Sequence, residues 1–135
     1  MEKLVWDTIM ASSTRMNDIY GAITTTDATP TTILAIPATD PNVSLRIDVS
    51  VIARRPSSSD ADSWKQVLLV DKTANGTPSM VGSQTIAAPI GSLGASSWTI
   101  GTVFDSTNIY LQVTGQLGAT INWLAAVSPM CVMGD

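Results

Sequence analysis

The 135-residue sequence contains no histidine and only one cysteine, Cys131. Without an imidazole, the chain cannot build a Ser-His-Asp or Cys-His arrangement, in which histidine takes the proton of the nucleophile. A single cysteine excludes an internal disulfide. Because cysteine and histidine are also the usual zinc ligands, their scarcity argues against a zinc site. We therefore expect a protein that uses no metal and no other cofactor.

Charged residues are scarce as well. They make up 13% of the chain, against the roughly 25% that is usual in soluble domains. The formal net charge is −4, and the largest basic cluster is the pair Arg54-Arg55, which argues against a nucleic-acid partner. A deficit of this size predicts that neighbouring molecules cover part of the surface.

Recognisable catalytic motifs are missing too. Neither GxGxxG nor GxxxxGK[ST] occurs in the sequence, so no nucleotide site is predicted. The only glutamate is Glu2, and the aspartates fall mostly in predicted turns, which leaves no convincing carboxylate pair for glycoside hydrolysis. A Ser-Lys pair stays open, although Lys3, Lys65 and Lys72 lie in no known motif. We expect a protein that is not an enzyme.

The sequence also lacks long apolar runs. The first 18 residues carry charged and polar groups throughout, and no stretch is long enough for a signal peptide or a membrane span. We expect a chain that folds in a cytoplasm and has no membrane partner.

Strict alternation of apolar and polar residues is the strongest pattern that is present. In "VSLRIDVSVIAR" (Val43–Arg54), the apolar residues fall on one face and the polar residues on the other, with Ile52 as the exception. This period predicts a half-buried strand. Seven more short strands are predicted between glycine, proline and asparagine turns: 20–25, 31–36, 64–71, 80–86, 98–104, 108–115 and 120–127. The sequence thus predicts an all-β, antiparallel β-sandwich of about eight strands, jelly-roll-like, over residues 21–135.

Residues 1–20 are predicted to form a short N-terminal arm. Its apolar residues are candidates for contact with a capsid or with another subunit: Leu4, Val5, Trp6, Ile9 and Met10. The alternative is that the arm packs on the core of its own chain. The tail, residues 128–135, is interpreted as a final edge strand or, alternatively, as a subunit contact.

A candidate ligand site lies around two stretches that do not alternate, residues 55–63 ("RPSSSDADS") and 89–97 ("PIGSLGASS"), which are predicted to be loops. The candidate ligand-facing residues are Ser58, Asp60, Asp62 and Trp64. An exposed tryptophan beside polar loops is typical of sugar-binding modules. The alternative, which ranks ahead of a sugar site, is that Trp64 closes a strand end over the sandwich. Trp98 and Trp123 lie within apolar strand patterns and are predicted to be core residues. Two aspartates supply too few oxygen ligands for a calcium loop.

Asp48 lies in the middle of a predicted strand, on its polar face, between Arg46 and Ser50. This position predicts an ion pair with Arg46 or Arg54, either within the chain or across a subunit boundary.

Three stretches of the sequence resemble a β-sandwich domain of tailed-bacteriophage virion proteins, found in fibre tips and head decoration proteins. They are "TDATPT" at 26–31, "VIARR" at 51–55 and "LQVTGQLGATINW" at 111–123. The resemblance extends over about residues 22–127. It implies a trimeric virion protein with a jelly-roll-like sandwich and no catalysis, and it assigns no binding residues.

Two functions follow from this resemblance. With only about 20 residues ahead of the domain and no fibrous shaft, we rank a capsid decoration, or cement, protein first. It would bind the major capsid protein on the outside of the virion as a homotrimer, after assembly in the host cytoplasm. The alternative is a receptor-binding module of a tail fibre or spike that contacts a host glycan through the stretches 55–63 and 89–97.

Overall fold

The computed structural model describes residues 13–15, 17–39, 42–73 and 76–133. These residues form an all-β structure of antiparallel strands in two sheets, which confirms the predicted fold class. The described strands are β1 (Ser13–Arg15), β2 (Ile19–Thr25), β3 (Thr31–Pro37), β4 (Val43–Arg54), β5 (Ala61–Lys72), β6 (Ser79–Gly91), β7 (Thr99–Phe104), β8 (Asn108–Thr114) and β9 (Ile121–Met133). A short 3-10 turn, η1 (Leu93–Ala95), separates β6 from β7.

The two sheets differ in size. The larger has six strands in the order β1-β9-β4-β5-β6, and β2 pairs with β9 beside β1. The smaller has three strands in the order β3-β8-β7. The chain therefore crosses between the sheets where β2 leads into β3, where β3 leads into β4, where β6 leads into β7, and where β8 leads into β9.

The core lies between the sheets and follows from the alternation of the strands. All six odd-numbered residues of β4 are buried and all six even-numbered ones are exposed, as the sequence predicts. From the smaller sheet, Ile109, Leu111 and Val113 of β8 fill the core from the other side. Burying side chains of this kind contributes about 1.5–3 kcal/mol each relative to leaving them in water. The core is therefore large enough to hold the two sheets together.

The tail is a strand, but it does not lie at an edge as predicted. Residues 128–133 continue β9, which pairs with β4 from Val43↔Met133 to Arg54↔Asn122. On its other side β9 pairs with β1 and β2. β9 is thus a central strand. Cys131 points inward and is buried.

Both predicted loops are shorter than expected. β5 begins at Ala61, so the turn after β4 comprises residues 55–60 and is closed by the Arg55 N–H donating to the Asp60 carbonyl at 2.8 Å. β6 extends to Gly91, and η1 follows at once. Both stretches contain strand ends that pair with each other, with Asp62 opposite Gly91 and Ser63 opposite Ile90. Their serine- and glycine-rich composition is typical of loops, so the sequence did not predict these strand ends.

The register between β5 and β6 shifts three times. At each shift β6 contains one residue more than β5, for instance between the pairs Lys65↔Ala87 and Gln66↔Thr85. β6 forms the edge of the larger sheet in the described structure and contains no charged residue. Bulges are one of the devices by which edge strands avoid pairing with other chains. The bulges therefore offset the missing charge on this edge.

Part of the predicted arm belongs to the larger sheet, because Ser13–Arg15 and Ile19–Tyr20 pair with β9. The predicted contact residues Leu4, Val5, Trp6, Ile9 and Met10 lie outside the described residues. Within the described ranges there is no helix of the length and hydropathy that a membrane span requires.

Candidate functional site: a cavity with a tryptophan floor

A cavity of about 460 Å³ lies where the chain crosses from β6 to β7. Its volume falls within the range of about 300–1,000 Å³ that is usual for ligand pockets. The start of β5, the end of β6, η1 and the start of β7 line it, through Asp62, Trp64, Gly91, Ser92, Leu93, Ser96, Trp98 and Thr99. The structure thus brings the two stretches that the sequence predicted to be loops together at one end of the sandwich.

Two tryptophans that line the cavity, Trp64 and Trp98, form its floor, and both pack against Trp123 beneath them. The rings of Trp64 and Trp123 stack with their centroids 5.6 Å apart and their planes at 21°, and Trp98 lies 6.1 Å from Trp123 at 54°. Trp98 and Trp123 are buried, as predicted. Trp64 is also buried, at 6% exposure, because its pairing with Val51 puts it on the inner face of β5. It is therefore not an exposed sugar platform, and its burial agrees with the favoured interpretation that Trp64 closes a strand end.

The indole N–H groups of the three rings have different partners. That of Trp123 donates to Thr25 Oγ1 at 2.9 Å, and that of Trp98 donates to Gln116 Oε1 at 3.2 Å. Within the described ranges, no side chain accepts a hydrogen bond from Trp64 Nε1, and no fully buried side-chain nitrogen or oxygen is left without a partner. Trp64 lines the cavity, so its N–H is a candidate donor to a ligand there.

Asp62 supplies an acceptor beside this donor. It lies on the inner face of β5 with 7% exposure, and its Oδ1 accepts the backbone N–H of Ser63 at 2.8 Å. A Cβ at Gly91 would come within 2.6 Å of the Asp62 Cγ. Only glycine at the end of β6 therefore leaves this carboxylate its place at the cavity wall.

The wall itself is held by Ser92. Its hydroxyl accepts the N–H of Ala61 at 3.1 Å and contacts Asp60 Oδ1 at 3.0 Å, while Asp60 Oδ2 accepts the Ser58 hydroxyl at 2.9 Å. These contacts join η1 to the start of β5. Of the predicted ligand-facing residues, Ser58 and Asp60 thus support the wall, whereas Asp62 and Trp64 line the cavity.

Sequence reasoning missed the free groups at the rim. The hydroxyls of Ser96 and Thr99 are exposed, and neither takes part in a hydrogen bond between described residues. Leu93 stands beside them with 91% of its surface exposed. The available signal was the Gly- and Ser-rich composition of residues 89–97.

The charge of the lining is one-sided. Among the described residues that line it, Asp62 is the ionisable one, and none is a lysine or an arginine. A second carboxylate, Asp60, lies beside the wall, where a Cβ at Gly94 would clash with it. A phosphate, sulfate or carboxylate ligand would meet repulsion here, whereas a neutral polyol or an amine would not.

The predicted ion pair occurs within the chain but is exposed. Arg46 Nε lies 3.5 Å from Asp48 Oδ1, with 61% and 52% of the two side chains exposed. Arg54 instead donates to Ser59 Oγ at 3.4 Å. An exposed pair of this kind contributes little to stability. A role for these three residues at a subunit boundary stays a prediction.

A second polar cluster closes the β7–β8 turn. Asp105 accepts the backbone N–H groups of Thr107 and Asn108 at 2.9 and 2.7 Å and also the hydroxyl of Tyr110. The Tyr110 hydroxyl and then the Thr107 N–H lower the pKa of Asp105, and the same carboxylate raises the pKa of Tyr110. These bonds fix the turn, which lies at the end of β7 away from the cavity. No group of three or more His, Cys, Asp or Glu side chains suited to a metal occurs among the described residues.

Comparisons with known proteins add little to this geometry. No protein-family model matches the chain, and no curated protein matches it. Among solved structures, the Acinetobacter baumannii phage AM24 tailspike protein is 12% identical with a TM-score of 0.42, and the match covers 87% of this chain and 26% of that one. For the Acinetobacter phage vB_ApiP_P1 tailspike protein, the identity is 17%, the TM-score 0.31 and the coverage 84% and 20%. This chain thus spans about a quarter or less of each of these proteins. Both scores are too low to establish a common fold.

Proposed function

We propose that this chain is a carbohydrate-binding module of a phage tail fibre or spike, which holds a neutral or amino sugar of a host glycan without cleaving it. The observation that carries the proposal is the cavity, which Trp64 and Asp62 both line. The indole N–H of Trp64 has no acceptor among the described residues and is the candidate donor, and the carboxylate of Asp62 is the candidate acceptor. One donor and one acceptor beside an aromatic floor suit a sugar, whose hydroxyls both donate and accept. The phage context comes from the sequence resemblance over residues 22–127.

Polar atoms rather than an open ring would give the affinity. Trp64 and Trp98 are only 6% and 2% exposed, so stacking of a sugar on a ring face contributes little. The hydroxyls of Ser96 and Thr99, which bond no other described residue, supply two more hydrogen-bonding groups at the rim. Each neutral hydrogen bond contributes about 0.5–1.5 kcal/mol, and one to a charged group about 1.5–3 kcal/mol. Weak binding by each module is the expected result, and several copies would be needed for strong adhesion.

Capsid decoration, which ranks first on the sequence, becomes the second candidate. Its main support, the arm residues around Trp6, lies outside the described structure, whereas the glycan proposal has a defined cavity. The two functions differ in copy number. Quantitative mass spectrometry of purified virions should find a dozen or so copies for a tail module and hundreds for a decoration protein.

Glycan binding is tested with an array that contains neutral, amino and acidic glycans, followed by titration calorimetry on any hit. We expect binding to neutral or amino sugars and none to sialylated or uronic-acid glycans. Trp64→Phe keeps most of the stacked ring and removes the N–H, so the loss of one hydrogen bond of about 1 kcal/mol should weaken Kd about fivefold. Asp62→Asn should weaken it more, because a charged acceptor is lost.

Matched controls separate blocked binding from misfolding. Ser96→Tyr fills the rim of the cavity, and Ser106→Tyr makes the same change in the exposed turn at the other end of β7. Only the first should abolish binding. If both variants bind as the unaltered protein does, or if the array detects only acidic glycans, the proposal is wrong.

A further inference from the structure

The outward-facing side of the six-stranded sheet carries a set of exposed apolar side chains. We name this set the outer apolar face; its members are Tyr20, Ile52, Leu69, Leu124, Met130 and Val132. The pairing of the strands places several of them next to one another in two groups. Leu124 lies opposite Ile52 across β9 and β4. Arg46 lies between Met130 and Leu69, so its aliphatic stem joins these two side chains into a second apolar band.

No described element packs on this face, because the three-stranded sheet covers the other side of the larger sheet. Exposed apolar side chains that gather on one face of a sheet are the kind of surface that marks a binding site. The face is also mixed in charge, with Arg46, Lys65, Asp48 and Asp71 among its polar residues. It therefore fits a segment that is apolar and carries charges of both signs.

Residues 1–12 of the same chain have this composition. Their apolar residues are those predicted for the arm, and Glu2, Lys3 and Asp7 supply both signs of charge. The segment is also in the right place. β1 begins at Ser13, which pairs with Val132, a member of the outer apolar face, so the point at which the segment is attached lies at this face.

The length of the segment is sufficient as well. Twelve extended residues reach about 40 Å at roughly 3.3 Å each. The four steps from β1 to β6 span about 19 Å at the usual strand spacing of about 4.8 Å. The segment can therefore turn back at residue 12 and cross the whole face.

From composition, position and length together, we propose that residues 1–12 fold over the outer apolar face of their own chain. Attachment at Ser13 gives the segment an effective concentration in the millimolar range, which favours the face of its own chain over that of a second copy. This proposal does not depend on the cavity. It assigns to the arm a partner other than the capsid.

Disulfide trapping tests the contact directly. In a Cys131→Ser background, the pair Ile9→Cys and Met130→Cys joins the segment to the face. The matched control replaces Met130→Cys by Val103→Cys. Val103 is 42% exposed on β7 and Met130 is 47% exposed on β9, so the two positions are similarly accessible but lie on different sheets.

Under mild oxidation, the first pair should form an intrachain disulfide about tenfold faster than the control, because the contact raises the effective thiol concentration. Equal rates for the two pairs would overturn the proposal. Disulfide-linked dimers that increase with protein concentration would also overturn it, since they place the segment on another copy. Quantifying free thiols and running non-reducing gels distinguishes these outcomes.

A truncation provides a second measurement that needs no cysteine. Removal of residues 2–12 should expose the outer apolar face and raise the fluorescence of an apolar dye such as ANS severalfold, while the far-ultraviolet circular dichroism of the sheets is kept. Unchanged dye fluorescence in a folded truncated protein would show that the segment does not cover the face.

Discussion

Gly21 of β2 allows the two sheets to approach closely at one edge of the sandwich. It pairs with Ala125 of β9 in the larger sheet. A Cβ at this position would clash with the carbonyl oxygen of Ile33 and come within 3.1 Å of its carbonyl carbon and 3.2 Å of its Cγ1. Ile33 belongs to β3 of the smaller sheet, at a bulge between Thr32 and Leu34. The obstacle is backbone, which cannot rotate away.

We therefore expect Gly21→Ala to destabilise the protein. Overpacking costs about 1–3 kcal/mol, and a backbone obstacle places this case at about 2–3 kcal/mol. Replacing glycine also lowers the entropy of the unfolded chain, which returns about 0.4–1 kcal/mol. The net loss in the free energy of unfolding should be about 1–2.5 kcal/mol.

Gly101→Ala is the matched control. Gly101 also lies in a strand, β7, and a Cβ there would meet no atom within 4 Å. Its stability should stay unchanged or rise by about 0.4–1 kcal/mol. Equilibrium urea unfolding, followed by the fluorescence of the buried tryptophans, measures both variants. If their unfolding free energies agree within about 0.5 kcal/mol, the size of ordinary surface effects, the close approach of β2 and β3 is wrong.

Two further changes test hydrogen bonds in the fold. Trp123→Phe removes the indole N–H that donates to the buried Thr25 hydroxyl, and it should lower the free energy of urea unfolding by about 1–3 kcal/mol. Adding Thr25→Val should restore part of this loss, because it removes the hydroxyl that was left without a donor. If the losses of the two single variants simply add in the double variant, the hydrogen bond is wrong. Hydrogen bonds from Tyr110 and Thr107 hold the pKa of Asp105 below its ordinary value of 3.8, so its ionised form stabilises the fold above that value and the contribution is lost as pH falls through the lowered pKa. The stability difference between the unaltered protein and Asp105→Asn should therefore shrink between about pH 5 and pH 2, and a difference that stays constant over this range would contradict the assignment.

The sequence predicts an element best where the two faces of a strand differ in environment. β4 has core on one side and solvent on the other, so its alternation predicts both ends to the residue, Val43 and Arg54. β6 has no such contrast, because it lies at the sheet edge and is exposed from Val81 to Ile86 on both faces. Its bulges also interrupt the period of two. The predicted strand, 80–86, therefore stops well short of Gly91.

The sequence predicted which two stretches form the candidate site, but it did not predict which of their side chains face the cavity. Composition pointed to residues 55–63 and 89–97, and these stretches do meet. Which side chains face the cavity depends on cross-strand register, however, and register is not visible in composition. The pairs Val51↔Trp64 and Ala53↔Asp62 turn both residues inward. Ser58, from the same stretch, lies outside the cavity in the turn and supports the wall through Asp60.

The unequal sheets explain why a cavity forms at this end. β6 ends the larger sheet and β7 begins the smaller one, so the chain must leave one ladder and enter the other between Gly91 and Thr99. In such a crossing the chain has no neighbouring strand on which to pack. Its small side chains therefore do not fill the space between the sheets, as the interdigitating side chains of facing strands do. η1 spans the gap, with Ala95 buried and Leu93 exposed, and the inward side chains of β5 face the remaining space. The Gly- and Ser-rich composition of residues 89–97 therefore accounts for two features of this end of the sandwich. It permits the change of sheet, and it leaves at that point an unfilled volume that Ser96, Thr99 and Trp64 line.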